Sequence, residues 1–488
     1  MPDSFFPAGV EYIRFLPEII LTIAGTLIML LEPFLGDGKK SGLGVFALIS
    51  LLAAIPATAL AGNNPGYAFS HMLLVDGFAT FFRYVVIGVG VLCISASFQY
   101  LRRENQNSGE YYALLLFSVT GQCVMAASNE LIMIFIGLEI SSIASYVLAG
   151  YLRDDKRNNE AALKYFLLGS FATAFLLYGI AWIYGITGAT NLDQIRYTLL
   201  NHDIEAGGVL VGVSAALMFV GFAFKVSAAP FQVWAPDVYQ GAPAPVSAFL
   251  STGPKAAAFA IFLRVYMTAF GPISNRWEAF VWISALLTMI VGNFGALRQP
   301  NLKRMLGYSS VAHAGYVMVA IAAHSQIGVA AAMFYLAAYA FMQIGCFAVV
   351  AHFARQGEKY VNIEDLAGLG WKQPVTAGLF TLFLLSLIGI PLTGGFFGKF
   401  YIFKAAVDSN LIWLAILGAL NSAVAAYYYL RVLVVMYMKE PGDAVETSQP
   451  MAPGISFTLW ASALGTLLLG IFPSAVLDFV RNSSSLAK

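Results

Sequence analysis

The amino-acid sequence predicts an all-α integral membrane protein of about fourteen transmembrane helices, containing two inverted five-helix repeats, each with a broken helix. Three observations lead there. Of the 488 residues, 59% are hydrophobic and 11% charged, at a mean hydropathy of +0.75, whereas a soluble domain carries roughly 25% charged residues. The apolar residues gather in runs long enough to cross hydrocarbon, which takes about 20 residues as helix, the form that satisfies its own backbone there. Two runs, one in each half of the chain, also carry a lysine near a proline, at Lys225 and Lys399.

Taken in order, the first spans are predicted at 13–33, 42–61 and 75–98, forming an N-terminal three-helix segment, 1–108. No basic region precedes the first run, so Met1–Val10 reads as neither a cleaved signal nor a transit peptide. A first repeat, 109–272, holds spans at 112–128, 130–150, 160–186, 207–234 and 242–270. A second, 273–440, holds spans at 278–298, 304–323, 327–353, 374–405 and 409–437. The last span, 454–482, falls in a C-terminal segment, 441–488. The seventh span, GFAFKVSAAPFQVW, is interrupted by Pro230, and the twelfth by Pro391 with Gly394, Gly395 and Gly398. Five helices per unit turn the second copy upside down, as in secondary transporters built from inverted repeats with broken helices.

Chemistry concentrates in a few ionisable residues inside these runs. Glu139 is alone in LIMIFIGLEISSIASYVLAG, where a carboxylate costs roughly 2.5–3.5 kcal/mol on insertion scales. A structural glutamate is the competing reading, yet Asn, Gln or Ser would fill that role without the cost. Lys225 has long apolar flanks that argue against snorkelling. Pro230 frees the carbonyl of Val226, a suitable acceptor for an ammonium, and Glu139 is the natural ionic partner. Lys399 lies beyond the glycine break, and Lys255 follows Pro254 in the eighth span, between the two broken helices in sequence. Lys164 ends the charged stretch RDDKRNNEAALK and reads equally as interfacial. His313 follows Glu139 at the spacing that separates Lys225 from Lys399, which makes it a candidate repeat-mate and proton carrier; a core histidine is the plain alternative.

Several classes are excluded. A net charge of +1 gives no sign of nucleic-acid binding. Cys93, Cys123 and Cys346 form no close pair, the five histidines are scattered, and no glycine-rich nucleotide fingerprint follows a strand. The chain itself is expected to hold neither cofactor nor metal.

The stretches GLEISSIASYVLAGY, GFAFKVSAAPFQVWAPDVYQGAPAPVSAFLSTGPKAA, NLKRMLGYSSVAHAGY and GIPLTGGFFGKFYIF closely resemble the antiporter-like subunits of respiratory complex I, and among them the subunit N branch of bacterial NADH:quinone oxidoreductase. WAPDVYQGAPAPVSAFL is the most specific piece, and the likeness runs from about Asp76 to Arg431. It implies a translocase subunit in which Glu139 and Lys225 form an input pair and Lys255 and Lys399 continue a mid-membrane axis, with Lys164 a further member. It also implies that NADH, FMN, iron–sulfur clusters and quinone are handled by other subunits. The implied partners are neighbouring antiporter-like and small membrane subunits in a bacterial inner membrane. A sodium/proton antiporter subunit and an energy-converting hydrogenase subunit share these features. A passive scaffold leaves the buried charges unexplained.

Orientation follows from charge. With the N-terminus outside, inner loops hold 14 basic residues, among them Lys39, Arg102, Arg103, Arg153 and Arg355, against 6 outside, including Lys404, Arg481 and Lys488. Both termini are therefore expected in the periplasm. A reporter active only in the cytoplasm should give signal when fused after Arg355 and none after Lys488, and the reverse pattern would overturn the orientation.

Overall fold

A computed structural model describes residues 7–36, 40–106, 108–201, 208–446 and 450–486; Lys39 and Lys488, both used in the charge count, lie outside them. Numbered by crossing, the helices are α1 Leu16–Leu31, α2 Ser41–Gly62, α3 Gly77–Arg103, α4 Gly109–Ala127, α5 Leu131–Ala149 and α6 Lys156–Thr187. The seventh crossing is α7a Gly208–Val226 with α7b Trp234–Gly241, and the eighth is α8a Ala244–Leu250 with α8b Gly253–Arg264. Then come α9 Ser274–Ala296, α10 Leu302–Ala322, α11 Gln326–Phe353, α12a Pro374–Ile388 with α12b Gly394–Asp408, α13 Ile412–Met438 and α14 Pro453–Ile471. Among the described residues, twelve helical segments are long and apolar enough to span on their own. The other two crossings are α4, which carries Glu110, Tyr111, Tyr112, Ser118, Thr120 and Gln122 and is almost wholly enclosed, and α12, split into two short halves.

Helix starts follow local chemistry. Asp76 accepts from the Ala79 N–H at the head of α3, Glu130 from Met133 at α5, Asn301 from Arg304 at α10 and Ser325 from Gly328 at α11. Two boundaries differ from the sequence reading. The eighth crossing is also broken, at Ser251–Thr252, because Pro254 offers no N–H and both hydroxyls bond back to the Ala248 carbonyl. The run predicted as one span at 454–482 ends at Ile471. Phe472 precedes Pro473 and is driven out of helical conformation (φ −122°, ψ 56°), and Pro473–Ser483 forms a separate helix. Two ion pairs join α1 to α3 and α3 to α8b: Glu18 with Arg83 (2.7 Å, both fully buried) and Asp76 with Arg264 (2.9 Å).

The repeat is visible in backbone contacts. Leu131 N–H donates to Thr190 O and Leu192 N–H to Asn129 O; in the second half Leu302 donates to Val361 O and Ile363 to Pro300 O. Every residue of the first set is separated from its counterpart by one constant offset, and the bridges Glu130–Asn191 and Asn301–Asn362 share it. Gly121 and Gly292 are related by the same offset, and a Cβ at either would strike the facing helix, at Gly137 O for Gly121 and at Ala312 N for Gly292. In this register the mate of Glu139 is Ser310, and His313 is the mate of Ser142. The pairing of Glu139 with His313, taken from the spacing of the two lysines, is thus displaced by one helical turn, because extra residues enter between α10 and Lys399.

Gly292→Val should lower the thermal stability of the purified protein, since overpacking costs typically about 1–3 kcal/mol. Gly88→Val, where a Cβ meets nothing within 4 Å, serves as the control. Equal behaviour of the two variants would mean that α9 and α10 do not touch at Gly292.

Candidate functional site

The sequence-predicted residues are carried on α5, α6, α7a, α8b, α10 and α12b, of which α8b and α10 are almost wholly enclosed while α6 is less than half buried. Glu139 lies on α5, with Oε1 enclosed and without a hydrogen-bond partner. Lys225, the penultimate residue of α7a, forms no ion pair with it. Its Nζ donates instead to Ser142 Oγ (2.7 Å) and Tyr146 Oη (3.0 Å), one and two turns further along the Glu139 face of α5. The rings of Tyr146, Tyr165 and Phe224 lie 5.1, 5.7 and 5.6 Å from the amine, close enough for cation–π attraction. Lys225 makes no bond to the Val226 carbonyl expected for it, and two other carbonyls near the end of α7a are met by other donors. Trp234 Nε1 donates to Phe224 O (2.9 Å) and Ala228 N–H to Ala223 O (2.7 Å).

That role appears at the other break. Lys399 on α12b reaches back across the gap and donates to Leu387 O and Ile388 O (both 2.9 Å), the last carbonyls of α12a, and to Ser422 Oγ of α13 (2.8 Å). Helix ends leave such carbonyls without intrahelical donors. Gly389 turns the chain at φ +97°, and a Cβ there would lie 3.2 Å from Lys399 Cδ, so glycine leaves room for the lysine stem. The amine sits 4.7 Å from the Tyr316 ring centroid.

Lys255 is buried just after the α8 break. Its Nζ donates to Ser310 O (3.0 Å) and Ser310 Oγ (2.5 Å). His313, also buried, bonds through Nδ1 to Tyr335 and through Nε2 to Tyr429 Oη (3.1 Å), and Tyr429 in turn bonds Ser309. Tyr428 donates to Asn293 Oδ1 (3.1 Å), whose amide reaches Tyr316 (3.4 Å). Ser309, Ser310, His313 and Tyr316 are successive polar positions on α10, so one helix carries the polar string from Lys255 toward Lys399.

Lys164 is different. It is 41% exposed and paired with Glu160 and Asp237 (2.7 Å each), Asp237 also holding Arg304 (2.6 Å). These residues line a separate cavity of about 160 Å³. The structure therefore groups Lys225, Lys255, His313 and Lys399 with neutral hydroxyls, carbonyls and rings, and sets Lys164 among carboxylates. The distinction is chemical. An amine bonded to neutral oxygens keeps those partners after giving up a proton, whereas one locked to carboxylates loses an ion pair.

Sequence reasoning missed the tyrosines that hold these groups: Tyr146, Tyr335 and Tyr429. Their signal was weak, being hydroxyls in apolar runs; only Tyr146, two turns along α5 from Glu139, shares a face with a flagged residue. Among the described residues no cluster of three or more His, Cys, Asp or Glu side chains gathers as a metal site.

Residues 128–425 match the family described as NADH:quinone oxidoreductase/Mrp antiporter, TM. A curated relative, NADH-quinone oxidoreductase subunit N 1 of Solibacter usitatus, is 64% identical over 475 residues, 97% of each chain. NADH-quinone oxidoreductase subunit N of Trichlorobacter lovleyi is 45% identical over 96% of each. Among solved structures, a chain of respiratory complex I from Thermus thermophilus with bound Aureothin superposes at TM-score 0.80 with 32% identity, covering 95% of this chain and 98% of that one. A chain of the Mrp complex from Dietzia shares the fold at TM-score 0.82 and 21% identity, over 98% of both chains.

Lys399→Met would leave the Leu387 carbonyl without a donor, at about 1–3 kcal/mol for a buried unsatisfied group, while Ile388 O would keep only the Ser422 hydroxyl at 3.2 Å. Its thermal midpoint in detergent should fall well below that of Ser422→Ala, which removes only one of three acceptors. A Lys399→Met protein as stable as wild type would show that the lysine does not hold the break together.

Proposed function

Because this chain belongs to the antiporter-like membrane family of NADH-quinone oxidoreductases, as a subunit N, we propose that it moves protons across the membrane while other subunits pass electrons from NADH to quinone. FMN, the iron–sulfur clusters, NADH and quinone belong to those subunits, and the partners of this chain are the neighbouring membrane subunits of the complex. Glu139, Lys225, Lys255, His313 and Lys399 carry the proton in this reading. One translocating unit is 109–272 and its inverted counterpart is 273–440. They are flanked by 1–108 and 441–488, with both termini on the periplasmic side of a bacterial inner membrane.

One observation carries the reading. Three amines lie beside breaks in helices α7, α8 and α12, each hydrogen-bonded to neutral oxygens. Lysine releases a proton readily when buried, unlike arginine. Glu139, with an enclosed oxygen that lacks a partner, exchanges a proton with Lys225 through Ser142, one turn away. The two residues act as a coupled site although they share no ion pair at rest. Lys164 serves at the edge, paired with its two carboxylates. The antiporter alternative draws on the shared fold with the Mrp chain, but the high identities lie with the oxidoreductase subunits.

Glu139→Gln and Lys225→Ala are expected to assemble and to cut proton pumping in reconstituted vesicles, with quinone reduction falling alongside where coupling is tight. Lys399→Arg should also impair pumping, because a guanidinium hardly ever deprotonates. Wild-type pumping by Lys399→Arg would reduce that lysine to a fixed positive charge.

A further inference from the structure

The turn between α7b and α8a, Gly241–Ala244, exposes backbone groups that its short helices cannot satisfy. Two of them are met by side chains of the second repeat. Lys303, at the head of α10, donates to the Ala242 carbonyl, which the Ser247 hydroxyl also reaches at 3.3 Å. Glu358, in the connection between α11 and α12a, accepts from the Ala244 N–H at 2.8 Å. Lys303 and Glu358 form a direct ion pair, with side chains 0% and 9% exposed. The carboxylate oxygen that meets Ala244 also accepts from Tyr100 Oη of α3 at 2.8 Å.

The segment that delivers Glu358 is itself held in an unusual shape. Arg355, Gly357 and Glu358 all have positive φ (56°, 68° and 48°), which L side chains keep only where their surroundings impose it. Those surroundings are Arg157 of α6, which donates to Gly357 O at 2.9 Å, and Glu104, which accepts from Gly357 N–H at 3.0 Å. Lys303 lies two turns before Ser310 along the same stripe of α10, and Ser310 holds Lys255. The eighth crossing is therefore fastened to α10 twice: at its first residue through Glu358 and Lys303, and at Lys255.

We propose that Lys303 and Glu358 are positioning residues that clamp the α7b–α8a turn of the first repeat onto α10 of the second, so that Lys255 changes its hydrogen-bond partner only by movement about this clamp. The pair carries no proton in this scheme. It fixes the distance over which Lys255 must hand one on, and a misplacement of about 1 Å can cost on the order of 100-fold in a step that depends on such geometry. The proposal rests on Lys255 being a proton carrier, as set out above.

The test compares Glu358→Gln, Lys303→Met and the double variant with Lys255→Met, in the whole complex reconstituted in vesicles. Protons pumped per NADH oxidised are read for assembled complexes only, which removes effects on folding or yield. Each single variant should lose most of the pumping that Lys255→Met loses. The double should be no worse than the worse single, since residues that act as a unit are not additive. Tyr100→Phe, which takes away only the hydroxyl contact, should keep the wild-type ratio. Glu358→Gln retains an acceptor for Ala244 and Tyr100, so it decides the matter alone where Lys303→Met fails to assemble. Wild-type pumping by Glu358→Gln while Lys255→Met fails would overturn the clamp and leave the proton axis standing. Wild-type pumping by Lys255→Met would overturn the axis itself.

Discussion

A charge inside hydrocarbon must find oxygen partners within the protein, and this constraint orders the rest of the molecule. Regular helices have few oxygens to give, because each carbonyl is already bonded one turn on and has only its second lone pair to share. Partners come from helix ends, from hydroxyls and, for Lys255, from a mid-helix carbonyl. Lys399 takes two carbonyls at the end of α12a; Lys255 takes a serine carbonyl and hydroxyl of α10; Lys225 takes a serine and a tyrosine of α5. Pro230, Pro254, Gly389 and Pro391 open the helices nearby, and irregular backbone at membrane depth is tolerated where protein encloses it.

The two repeats solve this problem with different residues. The backbone contacts that seat α5 against the end of α6 recur where α10 meets the segment after α11, at a constant separation. Within that frame the side chains diverge. Where the first repeat has Glu139, the second has Ser310; where the first has Ser142 receiving Lys225, the second has His313 between two tyrosines. A carboxylate thus stands at one end of the row alone, and the second half relies on a neutral ring and phenols. On the proposed proton path, that asymmetry is what would give the row a direction, which a strictly repeated set of residues would lack.

Most of the fold was legible in the sequence, because hydropathy runs report helices directly and hydrocarbon permits little else. The failures were local. The α8 break hides behind Ser251 and Thr252, whose hydroxyls redirect a carbonyl that composition alone treats as helical. The final span was read too long because Pro473 was counted within an apolar run, though its helix carries Asp478 and Arg481. Of the site, Lys225, Lys255, His313 and Lys399 were recognisable as costly residues in apolar surroundings. Their partners were not, since a serine or tyrosine in a membrane helix is cheap and common. The Glu139–Lys225 ion pair was an inference from charge and from the family resemblance, and Ser142 and Tyr146 outcompete Glu139 for the amine in this state. The repeat register needed coordinates, because a short insertion shifts a fixed offset by one turn.

The central claim is that the buried amines change protonation during turnover, which nitrogen NMR of lysine side chains reads directly. The complex would be labelled with 15N at lysine Nζ, and the resonances of Lys225, Lys255 and Lys399 identified by their loss in Lys→Met variants. The account expects at least one of the three to move between the neutral-amine and ammonium positions when NADH and quinone are supplied, while the carboxylate-paired Lys164 stays an ammonium. Three resonances fixed at the ammonium position through turnover, in a complex that pumps, would contradict it.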